Sequence, residues 1–211
     1  NGRNGLFIFC VNMPDFLDYM AAGGGVFSPS QLGNLFMWLK ADAITGLNDA
    51  DPVSTWSDSS GRGNDVTQAT GVLQPSYRTN VVNNLPVVRF DGSNDELDSA
   101  AISNSGNDAT VFLVLSVATT SSYGMFFTYA GAGSGSWNYR QQASTGRSSF
   151  VDGLTNVGAG AIDVNSAGGI GTNLAGQGFK VFEAFLKSGN NWEIFENGES
   201  KHVNSNTITQ S

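Results

Sequence analysis

"FKVFEAFLKSGNNWEIFENG", residues 179–198, decides the fold. In an extended chain Phe179, Val181, Glu183, Phe185 and Lys187 fall on one side, and Lys180, Phe182, Ala184 and Leu186 on the other. That period of two predicts a strand. The stretch ends in Asn197-Gly198. A type I′ turn needs positive φ at both central residues, which Asn and Gly supply, so a hairpin is expected there.

Working outward, more runs read as strands. "ATVFLVLSVA" (109–118) is almost continuously apolar and predicts a central strand with both faces covered. "LFMWLKA" (35–41), "VSTWSD" (53–58), "LPVVRFD" (85–91) and "YGMFFTYA" (123–130) have strand composition. "WNYRQQAS" and "RSSFVDG" predict a hairpin across "STG". Short strands at close spacing, separated by Gly- and Asn-rich turns, mean a sandwich or barrel. Trp38 and Trp56 are expected in the core.

Composition agrees. Of 211 residues 40% are hydrophobic and only 13% charged, so Gly, Ser, Thr and Asn must cover the surface, as in an all-β chain. The net charge of -8 comes without a basic cluster, which argues against nucleic-acid binding and a polybasic membrane patch. The single cysteine, Cys10, excludes an intrachain disulfide and reads as a small buried hydrophobe. The lone His202 reads as a surface residue; with one Cys it does not make a zinc set, and no Gly-x-Ser-x-Gly elbow accompanies it.

Residues 1–25 differ from the rest. Leu6, Phe7, Ile8, Phe9 and Val11 lie in "LFIFCV", a short β-segment too short to cross a bilayer. "MPDFLDYMAA" predicts a helical turn or two, and "GGG" (23–25) a joint. Together they form a hydrophobic N-terminal arm and hinge ahead of a domain spanning 26–211.

Several pieces in order, "WLKAD", "VSTWSDSSGRGND", "QPSYRT" and "PVVRFDGSNDEL", resemble the laminin-G-like, concanavalin A-like lectin/glucanase family. The resemblance covers about residues 27–98, and "FKVFEAFLKSGNNWEIFENGE" fits the family's later hairpin. It implies a two-sheet antiparallel jelly-roll sandwich. Members are modules of surface and secreted proteins or phage structural proteins; many bind glycans and some bind calcium. The family continues with further strands after such a hairpin, so the domain is expected to lack its last strands or to fill their place with the arm, from its own chain or a neighbour's.

Three kinds of site are candidates. Asp91, Asn94, Asp95 and Asp98 in "FDGSNDELD" offer oxygens to calcium, although Asp-Gly and Ser-Asn form turns and the spacing is not that of an EF-hand. Asp49, Asp51, Asp58 and Asp65 form a second acidic loop. Trp137, Tyr139 and Arg140 in "GSWNYRQQ" are the best group for stacking on a sugar, the first two on one side of the strand. Related glucanases use a Glu-x-Asp-x-x-Glu strand, whereas Glu193, Glu196 and Glu199 are spaced differently around a hairpin tip.

The expectation is a non-catalytic structural or adhesion subunit of a virion or cell-surface assembly, located outside the cell. Its arm would join copies of itself or another structural subunit. It would require no cofactor, with calcium the alternative, and would have no membrane span. A carbohydrate-binding module is the alternative function, and a glucanase-type enzyme the remote one.

Overall fold

The computed structural model describes residues 4–11, 28–100, 109–118, 124–130, 136–141, 148–152, 176, 178–187 and 191–204. The expected helical turn at 13–22 and the "GGG" joint lie outside them. The described residues form strands, 3-10 turns and loops; every strand pairing is antiparallel. The chain is all-β.

The strands are β1 (Asn4–Val11), β2 (Leu35–Leu39), β3 (Thr55–Trp56), β4 (Val66–Thr67), β5 (Ser76–Val82), β6 (Leu85–Phe90) and β7 (Asp98–Ser99). They continue with β8 (Ala109–Ser116), β9 (Gly124–Ala130), β10 (Ser136–Gln141), β11 (Ser148–Asp152), β12 (Lys180–Lys187), β13 (Asn191–Glu196) and β14 (Glu199–Asn204). The large sheet runs β14-β13-β12-β8-β1-β6-β5, with β2 also paired to β1. Two smaller sheets run β11-β10-β9 and β3-β4-β7.

Alternation explains burial in the large sheet. On β8, Val111, Leu113 and Leu115 are buried while Phe112, Val114 and Ser116 are half-buried. The continuous apolar run therefore has one deeply covered face and one partly covered face, rather than two equivalent ones. On β2, Leu35, Met37 and Leu39 are buried, whereas Phe36 and Trp38 are half-buried. Phe182 of β12 lies opposite Leu113 and is buried with it. Val53, Trp56, Val87, Val88 and Val117 complete the most buried set. Trp56 is core, as its strand composition suggests. Trp38 is not; Lys40 Nζ sits 5.0 Å above its ring.

Turn chemistry fixes the hairpins. Asn197 and Gly198, with φ of 51° and 77°, join β13 to β14 as their sequence predicts. Asn83 and Asn84, both at positive φ, form a two-residue turn between Val82 and Leu85. The β5–β6 register shifts between Arg78 and Val82, opposite Pro86, which has no N–H to give to a ladder.

Strand β1 occupies the interior of the large sheet. Gly5–Val11 pair with β8 along one side. On the other side Asn4–Leu6 pair with β6, and Ile8–Val11 pair with β2. β1 thus joins two parts of the chain that do not otherwise pair with β8.

Candidate functional site

The corner at residues 91–95 is built from its own carboxylates. Asp91 Oδ1 accepts the N–H of Ser93 at 2.7 Å and of Asn94 at 3.2 Å. Asp95 Oδ2 accepts the N–H of Asp91 at 2.7 Å, closing the loop on itself. Asn94 Nδ2 donates to the Val72 carbonyl at 3.2 Å and ties the corner to the 3-10 turn Gly71–Leu73. Gly92 stands at φ 76°, which an L side chain resists. Burial pushes the Asp95 carboxyl above its usual value; the Asp91 N–H opposes this and the Asp91 charge adds to it. Asp98 lies in β7, opposite Thr67. Among the described residues no group of three or more His, Cys, Asp or Glu is placed to hold a metal ion.

The second acidic loop is likewise occupied. Asp58 Oδ1 accepts the N–H groups of Trp38 and Ser60, both at 2.8 Å. Its Oδ2 accepts the Ser60 hydroxyl at 2.6 Å and the Asn64 N–H at 3.0 Å. Burial raises the Asp58 pKa, but the Ser60 hydroxyl and the Trp38, Ser60 and Asn64 N–H groups outweigh it, and the net value is lowered. Arg62 donates to the carbonyls of Leu35 and Gly33, and Asn64 Nδ2 to that of Phe36. "SDSSGRGND" is thus a polar plug fastened to β2, bridged at Leu39–Asp58 and held by Ser59 N–H to the Trp38 carbonyl. Asp65 accepts the Asp58 N–H at 2.8 Å. Asp49 accepts the Thr79 N–H at 2.9 Å and pairs with Arg78 at 3.2 Å; Asp51 accepts from Asn48 at 2.7 Å.

The aromatic candidates sit in the β11-β10-β9 sheet. Trp137 lies opposite Tyr129 and Asp152, and Tyr139 opposite Phe127 and Phe150. Trp137 and Tyr139 hold alternate positions on β10. The register with β9 shifts between Tyr139 and Arg140, so Arg140 faces Met125 across the ladder.

Of the hairpin glutamates, Glu193 lies opposite Phe185 and Val203, and Glu196 opposite Phe182 and Glu199. Glu196 is buried and forms an ion pair with Lys180 Nζ, itself largely buried. The sequence offers no direct sign of that pair, because alternation alone places Lys180 beside Phe182 without naming its partner.

Sequence reasoning also missed an aromatic row on the half-buried face of the large sheet. Directly opposed residues of an antiparallel pair share a face. Phe112 and Phe195 flank Glu183 in register, and Trp38 takes the matching position on β2. Leu32 and Leu35 pack against Trp38 and Phe112. Burial pushes the Glu183 carboxyl above its usual range. The alternation of β12 hinted at this by placing Glu183 on one side with Phe179, Val181 and Phe185.

No protein-family model matches the chain, no curated protein matches it, and no solved structure matches it.

Proposed function

We propose that the chain is a non-catalytic structural or adhesion subunit of an extracellular, cell-surface or virion assembly. Its body is a laminin-G-like jelly-roll sandwich and its N-terminal segment is the assembly element. The observation behind this reading is the place of β1, between β8 on one side and β2 and β6 on the other. A strand in that position gives main-chain bonds to both neighbours and completes the sheet, which is how strand addition joins subunits. The acidic loops support a structural role, since their carboxylates are spent on the chain's own N–H groups. Glu196 supports a non-catalytic reading, because a carboxylate tied to Lys180 inside the sheet is badly placed to protonate a substrate.

Light scattering of the intact chain over a concentration series tests the proposal. Mass that grows in multiples of the chain is expected. A monomer at every concentration would overturn the assembly reading.

A second reading is glycan binding, favoured by two aromatic groups: the row of Trp38, Phe112, Glu183 and Phe195 in the large sheet, and Trp137, Tyr139 and Arg140 on β10 of a separate sheet. Rings stack on apolar sugar faces, and a carboxylate accepts from hydroxyls. Electrophoresis through gels containing soluble polysaccharides, with and without calcium, is the test. Retardation lost in Trp137→Ala or Glu183→Gln supports this reading and locates the site; no retardation removes it.

A further inference from the structure

We infer that β1 is exchanged between identical copies: the slot between β8 and the β2–β6 pair accepts the β1 strand of a second copy of this chain in the same register. The inference rests on the assembly reading above and names its partner.

Three observations carry it. First, the slot is the best-defined strand site in the large sheet. Val111, Leu113 and Leu115 on one wall, and Met37, Leu39 and Val88 on the other, are all buried, and they lie opposite Cys10, Ile8 and Leu6. An empty slot would leave two ladders unpaired and this apolar surface wet, so it must be filled by some copy of the strand.

Second, the two outer edges of the sheet are poor sites for another chain. Beyond β5, Ala50 N–H donates to Tyr77 O, Tyr77 N–H to Asp51 O and Val53 N–H to Pro75 O, each at 2.8 Å. That edge is covered. At β14 the register shifts between Ile194 and Phe195, leaving Lys201 as the unmatched residue between Ser200 and His202. A bulge carrying Lys is a device that blunts an edge against pairing.

Third, the link from β1 to β2 is much longer than its closure requires. Val11 and Leu35 are directly opposed, so a tight turn would join them, yet residues 12–34 intervene. Residues 28–34 are tied to the body by the 3-10 turn Pro29–Gln31 and the buried Leu32, and the chain between Val11 and Ser28, fully extended, reaches on the order of 50 Å, enough to carry β1 to an adjacent copy. Exchange preserves every main-chain bond of the slot, so it changes the chain's mass in solution without changing its fold.

The single native cysteine makes the test direct. Cys10 lies opposite Val111 of β8 and opposite Met37 of β2. Opposed residues in an antiparallel pair have Cα atoms about 4.5–5.5 Å apart, within the range of roughly 4.4–6.8 Å that a disulfide accepts. The unaltered chain is mixed with a Cys10→Ala/Val111→Cys chain, refolded from denaturant at high concentration and oxidised. The Cys10→Ala/Met37→Cys chain gives a second, independent pairing.

The inference expects a reductant-sensitive heterodimer with each partner, mapped by mass spectrometry to Cys10, its yield falling on dilution before refolding. A Val111→Cys chain that keeps Cys10 serves as the control and should close within itself at high dilution. Intrachain closure in that control, with no heterodimer from either mixture, overturns exchange. It leaves the assembly reading standing if light scattering still shows oligomers. Failure of the control and of both mixtures overturns the register on which the inference is built.

Discussion

Replacing Asp58 by Ala tests whether the polar plug beside β2 holds the fold. The side chain accepts from Trp38 N–H, Ser60 N–H, the Ser60 hydroxyl and Asn64 N–H, at 2.6–3.0 Å. A hydrogen bond to a charged group contributes roughly 1.5–3 kcal/mol. The site is half-buried, so water reaches some of the stranded donors and the losses do not add in full. We expect about 3 kcal/mol in total, a conservative figure for several charge-assisted bonds. For a chain of this size each kcal/mol shifts Tm by about 2–4 °C, giving a drop of about 6–12 °C.

The pH dependence makes the test sharper. The folded pKa of Asp58 lies below its ordinary value of 3.8. Its contribution is therefore complete above that value and is lost as pH falls through the lower folded pKa. The gap between the unaltered protein and Asp58→Asn, followed by thermal denaturation, should be widest at neutral pH and should close in strong acid. A Tm change below about 2 °C for Asp58→Ala, less than one hydrogen bond's worth, or a gap that is flat with pH, would refute the reasoning.

Other outcomes follow from the same packing. Lys180→Met should cost about 3–5 kcal/mol in urea denaturation, because it strands Glu196 in the interior, and adding Glu196→Leu should recover most of that loss. Leu115→Ala, at a residue 2% exposed, should cost about 2–5 kcal/mol in the same assay. Gly198→Ala should cost about 1–2 kcal/mol, since a Cβ is disfavoured at φ 77°. Asp95 has a raised pKa, so its contribution is full below 3.8 and lost as pH rises through the folded value. Asp95→Asn should therefore leave neutral-pH stability nearly unchanged, and calcium should not raise the Tm of the unaltered protein; a rise abolished by Asp91→Asn would show that the corner takes the ion.

What the sequence made legible was local. The alternation of residues 180–187 and the Asn197-Gly198 turn predict β12, β13 and β14 because period and turn chemistry are read from adjacent residues. The expected pairing of "WNYRQQAS" with "RSSFVDG" is present as β10 against β11, while its "STG" turn lies outside the described residues. Strand composition also marks Leu6–Val11 as extended, but nothing local says that Ile8 meets Leu113 and Leu39. Those pairings span long stretches of chain, and only the completed sheet fixes them. Asp58 stands out in sequence as one acid among several. Its role depends on Trp38 and on loop closure around Ser60 and Asn64, so a ligand set and a loop lock look alike until the donors are placed. The interruption opposite Pro86 had a local cue, the missing N–H, but its consequence falls on the partner strand.

The most direct test of the central claim is complementation of the β1 slot. A chain comprising residues 28–211 is refolded with and without a synthetic peptide of residues 1–11, and cooperative thermal unfolding is followed by near-ultraviolet circular dichroism. The account predicts no cooperative transition without the peptide and a native-like transition on binding it in equimolar ratio. A chain that folds as well without the strand as with it would contradict the claim that β1 completes the sheet and carries assembly.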